Sequence, residues 1–123
     1  MNLTDAVTVL VVDDAADLAE LIGAALEVKG YSVRTALDGH DAMALVEAMQ
    51  PHCVILDVQM PRLDGYRFAQ QLRAKYGDDI VLIAMSGHAP DQPQVAGTFR
   101  IVDHYLQKPF DFAELDKILP DLV

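Results

Sequence analysis

A single cysteine, nine basic residues and no apolar run long enough to cross a membrane are the first limits this sequence sets. Cys53, being alone, can form neither an internal disulfide nor a thiolate zinc site. It opens an apolar run with no His or Lys pattern that would activate a thiol, so it reads as a small buried hydrophobe. Lys and Arg number 9 against 19 Asp and Glu, a formal net charge of -10. Nucleic acid and anionic membranes need a basic footprint, so neither is expected as a direct partner. A basic protein surface suits this charge better, although acidity also simply keeps a domain in solution. The first residues lack a basic n-region and a small-residue cleavage site, and Asp5 precedes the first apolar stretch. With no signal peptide and no spanning segment, the cytoplasm is the expected location. Linkers, repeats and low-complexity tracts are also missing. At 123 residues and 52% hydrophobic content, one domain over 1–123 with a single core is expected.

What is present is a regular alternation of strand and helix patterns. Val7 to Val12 reads as a buried strand. A helix from about Asp17 to Lys29 follows, with Leu18, Leu21, Ile22, Ala25 and Leu26 on one face and Gly30 as its stop. Tyr31 to Ala36 is a second strand. After Asp38-Gly39 a second helix turns Ala42, Leu45, Val46 and Met49 inward and ends before Pro51. Cys53 to Leu56 is a third strand; Met60-Pro61 and Asp64-Gly65 bracket a loop before a helix through Phe68, Leu72 and Lys75, closed by Gly77-Asp78. The uniformly apolar Ile80 to Met85 is expected to be a central parallel strand. A fifth strand from about Val102 to Leu106 precedes a last helix, Phe112 to Leu119, before Pro120. The result is five βα units. The fourth helix is the weak element: Pro90, Pro93 and Gly97 leave room only for a short or irregular one, starting with Asp91 as N-cap and more mobile than the rest.

The ends of these strands carry the chemistry. Asp13 and Asp14 follow the first run and Asp57 the third; if those strands are parallel neighbours, all three carboxylates meet where an open α/β sheet binds ligands. Clustered carboxylates repel unless protons are retained or a cation is shared. Ser86 follows the fourth strand and Lys108 the fifth. An acid cluster, a hydroxyl and an amine at one sheet edge is the set that phosphoryl transfer to a carboxylate requires. Asp57 would be the nucleophile, Mg²⁺ would be held by oxygens of Asp13, Asp14 and Asp57, and Lys108 and Ser86 would meet the phosphoryl oxygens.

The chain resembles the receiver domains of response regulators in two-component phosphorelays. The resemblance rests on Val11-Val12-Asp13-Asp14, on Leu56-Asp57-Val58-Gln59-Met60-Pro61 with Asp64-Gly65, on Met85-Ser86-Gly87, and on Tyr105-Leu106-Gln107-Lys108-Pro109-Phe110. It implies a single five-stranded parallel sheet, doubly wound as (βα)5, with the flavodoxin-like strand order 2-1-3-4-5. It further implies Asp57 as phosphoacceptor, Asp14 and the Gln59 backbone carbonyl as direct Mg²⁺ ligands, and Asp13 as a ligand acting largely through metal-bound water. Ser86 resembles the hydroxyl that moves toward the phosphoryl group, and Tyr105 the aromatic switch that follows it. A cis Lys108-Pro109 bond is implied as well. The expected partners are a histidine kinase or histidine phosphotransfer protein and a downstream protein target, with the chain a monomer or weak dimer and a stand-alone regulator rather than a piece of a hybrid kinase. Gln59 and His88 stand at positions that influence phosphate loss in this family, and the proline-broken segment from Pro90 to Arg100 departs from its usual fourth helix.

Each residue alone has an ordinary explanation. Asp13 and Asp14 could cap the first helix, Asp57 and Ser86-Gly87 could be turn residues, Lys108 a solvated lysine and Tyr105 plain core. Their joint occurrence favours the site. His40, His52 and His104 have no metal-ligand spacing. Hydrolases with an aspartyl-phosphate intermediate would want an acid two residues after the nucleophile, where Gln59 stands, and Ala15 does not supply it either. A vestigial, purely binding receiver is opposed by the complete residue set. Flavin binding lacks the loop it needs after the first strand. The expectation is therefore a phosphorylated switch and not an enzyme turning over a separate substrate.

Overall fold

A computed structural model describes residues 7–60, 65–93 and 95–119. The loop residues Pro61 and Asp64 and the terminal Pro120 lie outside them. Five strands alternate with five helices: β1 (Thr8–Val12), α1 (Ala16–Val28), β2 (Ser32–Ala36), α2 (Gly39–Met49), β3 (Cys53–Asp57), α3 (Gly65–Tyr76), β4 (Val81–Ser86), α4 (Ala96–Ile101), β5 (His104–Gln107) and α5 (Phe112–Ile118). A single 3-10 turn, Gly77–Asp79, links α3 to β4. The strands form one parallel sheet in the order β2-β1-β3-β4-β5. This is the doubly wound order expected, with boundaries shifted by one or two residues.

Alternation along the buried strands explains the two layers, since successive side chains point to opposite faces. Leu10, Val12, Val54, Leu56 and Leu82 pack with Ala42 and Val46 of α2 and Phe68, Ala69 and Leu72 of α3. Val9, Val11, Cys53, Ile55, Ile83 and Met85 pack on the other face with Ala19, Ile22 and Leu26 of α1 and Leu115 of α5. Gly30, at φ 104°, ends α1 as its spacing predicts; the Gly30 and Tyr31 N–H groups return to the Glu27 and Leu26 carbonyls. Gly65 starts α3 where no larger residue fits, because a Cβ there would stand 2.9 Å from the Val58 Cα.

Two expectations are corrected. Leu21 is 56% exposed rather than inward. The buried stripe of α1 runs through Ala19, Ile22, Gly23 and Leu26, and Leu21 lies about 100° around the helix from Ile22. Asp91 is not the N-cap of α4, which begins only at Ala96 after Val95. Pro90 and Pro93 instead occupy the second positions of two consecutive turns, closed by Gln92 N–H on the Ala89 carbonyl (3.0 Å) and Val95 N–H on the Gln92 carbonyl (3.1 Å). Proline suits that turn position because its φ is already set.

Candidate functional site

Register brings the polar strand ends together. Val12 pairs with Leu56, Asp57 with Met85 and Ser86 with Gln107, so the carboxyl ends of β1, β3, β4 and β5 finish side by side. The Asp13 N–H extends the β1–β2 ladder to the Ala36 carbonyl (3.1 Å), and the Lys108 N–H extends the β4–β5 ladder to the Ser86 carbonyl (2.7 Å). The order reverses between β1 and β3, where doubly wound sheets form their ligand crevice.

Asp57 is buried and held at both oxygens: Oδ1 accepts the Gln59 N–H (2.9 Å) and Oδ2 accepts from Lys108 Nζ (3.0 Å). Asp13 is fully buried; its Oδ1 accepts the Ala15 N–H (2.9 Å), and its Oδ2 lies 3.6 Å from Lys108 Nζ with no hydrogen-bond partner. Asp14 is exposed, and one carboxylate oxygen each from Asp13, Asp14 and Asp57 falls within a mutual 4.8 Å. The capping explanation for the acid pair fails, because the N-cap of α1 is Ala15 without a side-chain cap. The peptide bond between Lys108 and Pro109 is cis, as the resemblance implies.

A second group adjoins these acids. Ser86 is fully buried; its Oγ donates to Gln59 Oε1 (2.8 Å) and accepts the His88 N–H (3.0 Å). Gly87 N–H donates to the same Gln59 oxygen. The Tyr105 hydroxyl donates to the His88 carbonyl (2.7 Å), and its ring meets Phe99 edge-on at 5.6 Å. The sequence singles out Gln59 for its backbone carbonyl and for its position two residues after Asp57, but not for this side-chain contact with Ser86 and Gly87. No spacing signals that contact, which depends on two loops 27 residues apart closing on one another.

Burial, above all, raises the Asp13 carboxyl above its ordinary range; the Ala15 N–H and the Lys108 ammonium oppose this, and the Asp57 charge reinforces it. Three clustered carboxylates, two of them beside the Lys108 ammonium, leave two negative charges uncompensated when all are ionised, which is the charge of a divalent cation. The all-oxygen donor set suits a hard ion, and the unpartnered, buried Asp13 Oδ2 is an atom such an ion would satisfy. The residues therefore fit Mg²⁺.

Fold and site together define an α/β protein with an acidic crevice at its topological switch point. The family model of the response regulator receiver domain matches residues 9–120, and the chain belongs to that family. It is 41% identical over 109 residues to the response regulator MprA of Mycolicibacterium vanbaalenii, covering 89% of this chain and 47% of that protein. The MprA of Mycobacterium tuberculosis strain H37Ra is 39% identical over the same length. The chain thus spans about half the length of these curated relatives. Among solved structures it is similar to a signal receiver domain from Bermanella marisrubri (TM-score 0.80, 30% identity, 93% of this chain and 96% of that one). It is also similar to the response regulator TrrA from Thermotoga maritima in complex with Mg²⁺ and BeF (TM-score 0.76, 29% identity, 89% and 93%).

Proposed function

We propose that the chain is a Mg²⁺-dependent phosphoacceptor switch of a cytoplasmic two-component phosphorelay, phosphorylated on Asp57 and signalling through protein contacts without turning over a separate substrate. The observation that carries this reading is the Asp57 carboxylate, anchored by the Gln59 N–H on one oxygen and by Lys108 Nζ on the other, beside the unpartnered Asp13 oxygen. A carboxylate oxygen of Asp57 attacks the phosphorus of a phosphohistidine on a histidine kinase or histidine phosphotransfer protein. The new O–P bond forms as the P–N bond breaks, and its electron pair returns to the imidazole nitrogen. Lys108 keeps a positive charge beside the oxygens being transferred, and Ser86 supplies a hydroxyl to one of them once its proton is free. Asp13, Asp14, Asp57 and the Gln59 backbone carbonyl would hold Mg²⁺, which when bound supplies charge against the phosphoryl oxygens.

A groove beside the acid edge supports the reading of a protein phosphodonor. A groove of about 410 Å³ between α1 and the segment after β5 is lined by Leu18, Leu21, Ile22, Pro109, Phe110 and Phe112. Lys108 lines it too, so a donor protein seated on this apolar surface would lie beside the Lys108–Asp57 pair. Outward-facing Leu21 and Phe112 would be covered by such a contact.

Beryllium fluoride, a phosphoryl analogue, tests the reading by ¹⁹F NMR. In the presence of Mg²⁺ the wild type is expected to show a bound fluoride signal that Asp57→Asn lacks. An identical signal in both proteins, or none in either, would overturn it.

A further inference from the structure

The Gln59 side chain reaches across the site from the loop after β3 to the loop after β4. The amide atom facing Gly87 is the oxygen, because a backbone N–H can only donate, and that oxygen's two lone pairs are taken by Gly87 N–H and Ser86 Oγ–H. Ser86 Oγ already accepts the His88 N–H, so its single proton is committed to Gln59. The hydroxyl is fully buried, with no solvent to offer an alternative. A Cβ on residue 87 would come within 3.3 Å of the Gln59 oxygen, so a glycine there lets the contact close. Gln59 is anchored at its other end to the phosphoacceptor, through its backbone N–H on Asp57 Oδ1.

We propose that Gln59 is a positioning residue that latches Ser86 in its resting place, so that the Gln59 side-chain oxygen and a phosphoryl group on Asp57 compete for one hydroxyl proton. This rests on the reading of Asp57 as phosphoacceptor. Ser86 can donate to a phosphoryl oxygen only after leaving Gln59. Gly87 loses its acceptor in the same movement, and the loop that carries the His88 carbonyl, to which the Tyr105 hydroxyl is bound, is released. The latch therefore sets how much phosphoryl binding is spent on opening the resting state, and how tightly occupancy of Asp57 is tied to Tyr105 and its neighbour Phe99.

The test is a double-mutant cycle with beryllium fluoride and Mg²⁺, paired with hydrogen exchange of the Gly87 amide in the protein without either. Gln59→Leu keeps the side chain's bulk and removes the acceptor. It is expected to bind beryllium fluoride roughly two- to tenfold more tightly than wild type, the worth of one exchanged hydrogen bond. The gain should vanish when Ser86→Ala is present in both members of the pair. Gly87 exchange should accelerate in Gln59→Leu and recover in Gln59→Glu, which retains an acceptor oxygen. Unchanged or weaker binding in Gln59→Leu, a gain that survives Ser86→Ala, or unaltered Gly87 exchange would each overturn the latch. Failure of the wild type to bind beryllium fluoride would overturn the phosphoacceptor reading instead, leaving Gly87 exchange to decide whether Gln59 holds this loop.

Discussion

Asp13 bears the largest electrostatic cost of the three clustered aspartates, because it is fully buried with one oxygen unpartnered. Its carboxyl is raised above the ordinary value of 3.8, mainly by burial, so the folded protein holds this proton more tightly than the unfolded chain does. Its stabilising contribution is present below the ordinary value and is lost as pH rises through the folded one. Asp13→Asn is therefore expected to melt at higher temperature than wild type at neutral pH without divalent cation, with the gain shrinking as pH falls through the raised folded value and gone below 3.8. Adding Mg²⁺ should raise the wild-type melting temperature and that of the variant by less. A pH series of thermal melts with and without Mg²⁺ checks both signs. Cys53 makes a simpler case: burial, aided by the Asp103 charge, pushes its thiol up to about 12, so a thiol reagent at pH 8 is expected to label it only after unfolding. At this scale the sequence was informative wherever a residue terminates a strand. Asp13, Asp57, Ser86 and Lys108 could be placed because β register alone brings them together. The Gln59 side chain could not, since its partners are fixed by loop closure and not by any period.

Among the elements, α4 departs furthest from its neighbours, with six residues preceded by two proline turns. Its end is fixed by a side chain that sequence reasoning did not single out. Arg73 of α3 donates through Nε to the Ile101 carbonyl (2.8 Å), through Nη1 to the Gly77 (3.0 Å) and Ile80 (3.1 Å) carbonyls, and through Nη2 to Asp103 Oδ2 (2.7 Å). The same Asp103 oxygen accepts the Leu82 N–H at 2.7 Å. One planar guanidinium thus ties α3, the 3-10 turn, β4 and the end of α4 together, which an ammonium cannot reproduce. Arg73→Ala is expected to cost about 2–3 kcal/mol in urea unfolding, and Arg73→Lys to recover only part of it. By contrast, the described residues between Gly87 and Val95 lie in no helix or strand, and their amides are expected to exchange faster than those of β3 and β4; equal protection would contradict this. The weakness of α4 was legible in Pro90, Pro93 and Gly97, but its starting point was not. Asp91 looks like an N-cap until both prolines are seen to close turns around it. Leu21 misled for a related reason: a leucine one position from the buried stripe fits a helix face by sequence and still faces outward.

For the molecule as a whole, a net charge of -10 surrounds the crevice, so on the proposed function the attraction for a phosphodonor would have to be local. Lys108 would supply it, standing 3.0 Å from Asp57 and also lining the apolar groove beside α1. From Asp57 a continuous set of contacts runs through Gln59, Ser86, His88 and Tyr105 to exposed Phe99, the route by which occupancy of the acid edge would reach another protein. No helix among the described residues is long and apolar enough to cross a membrane. The proposed switch depends on Asp57 accepting a phosphoryl group. The most direct test is rapidly quenched intact-mass spectrometry after incubation with Mg²⁺ and a small acyl phosphate. Wild type is expected to gain the mass of one phosphoryl group, with the gain abolished in Asp57→Asn and strongly reduced without Mg²⁺. No added mass in wild type, or the same gain in Asp57→Asn, would contradict the account.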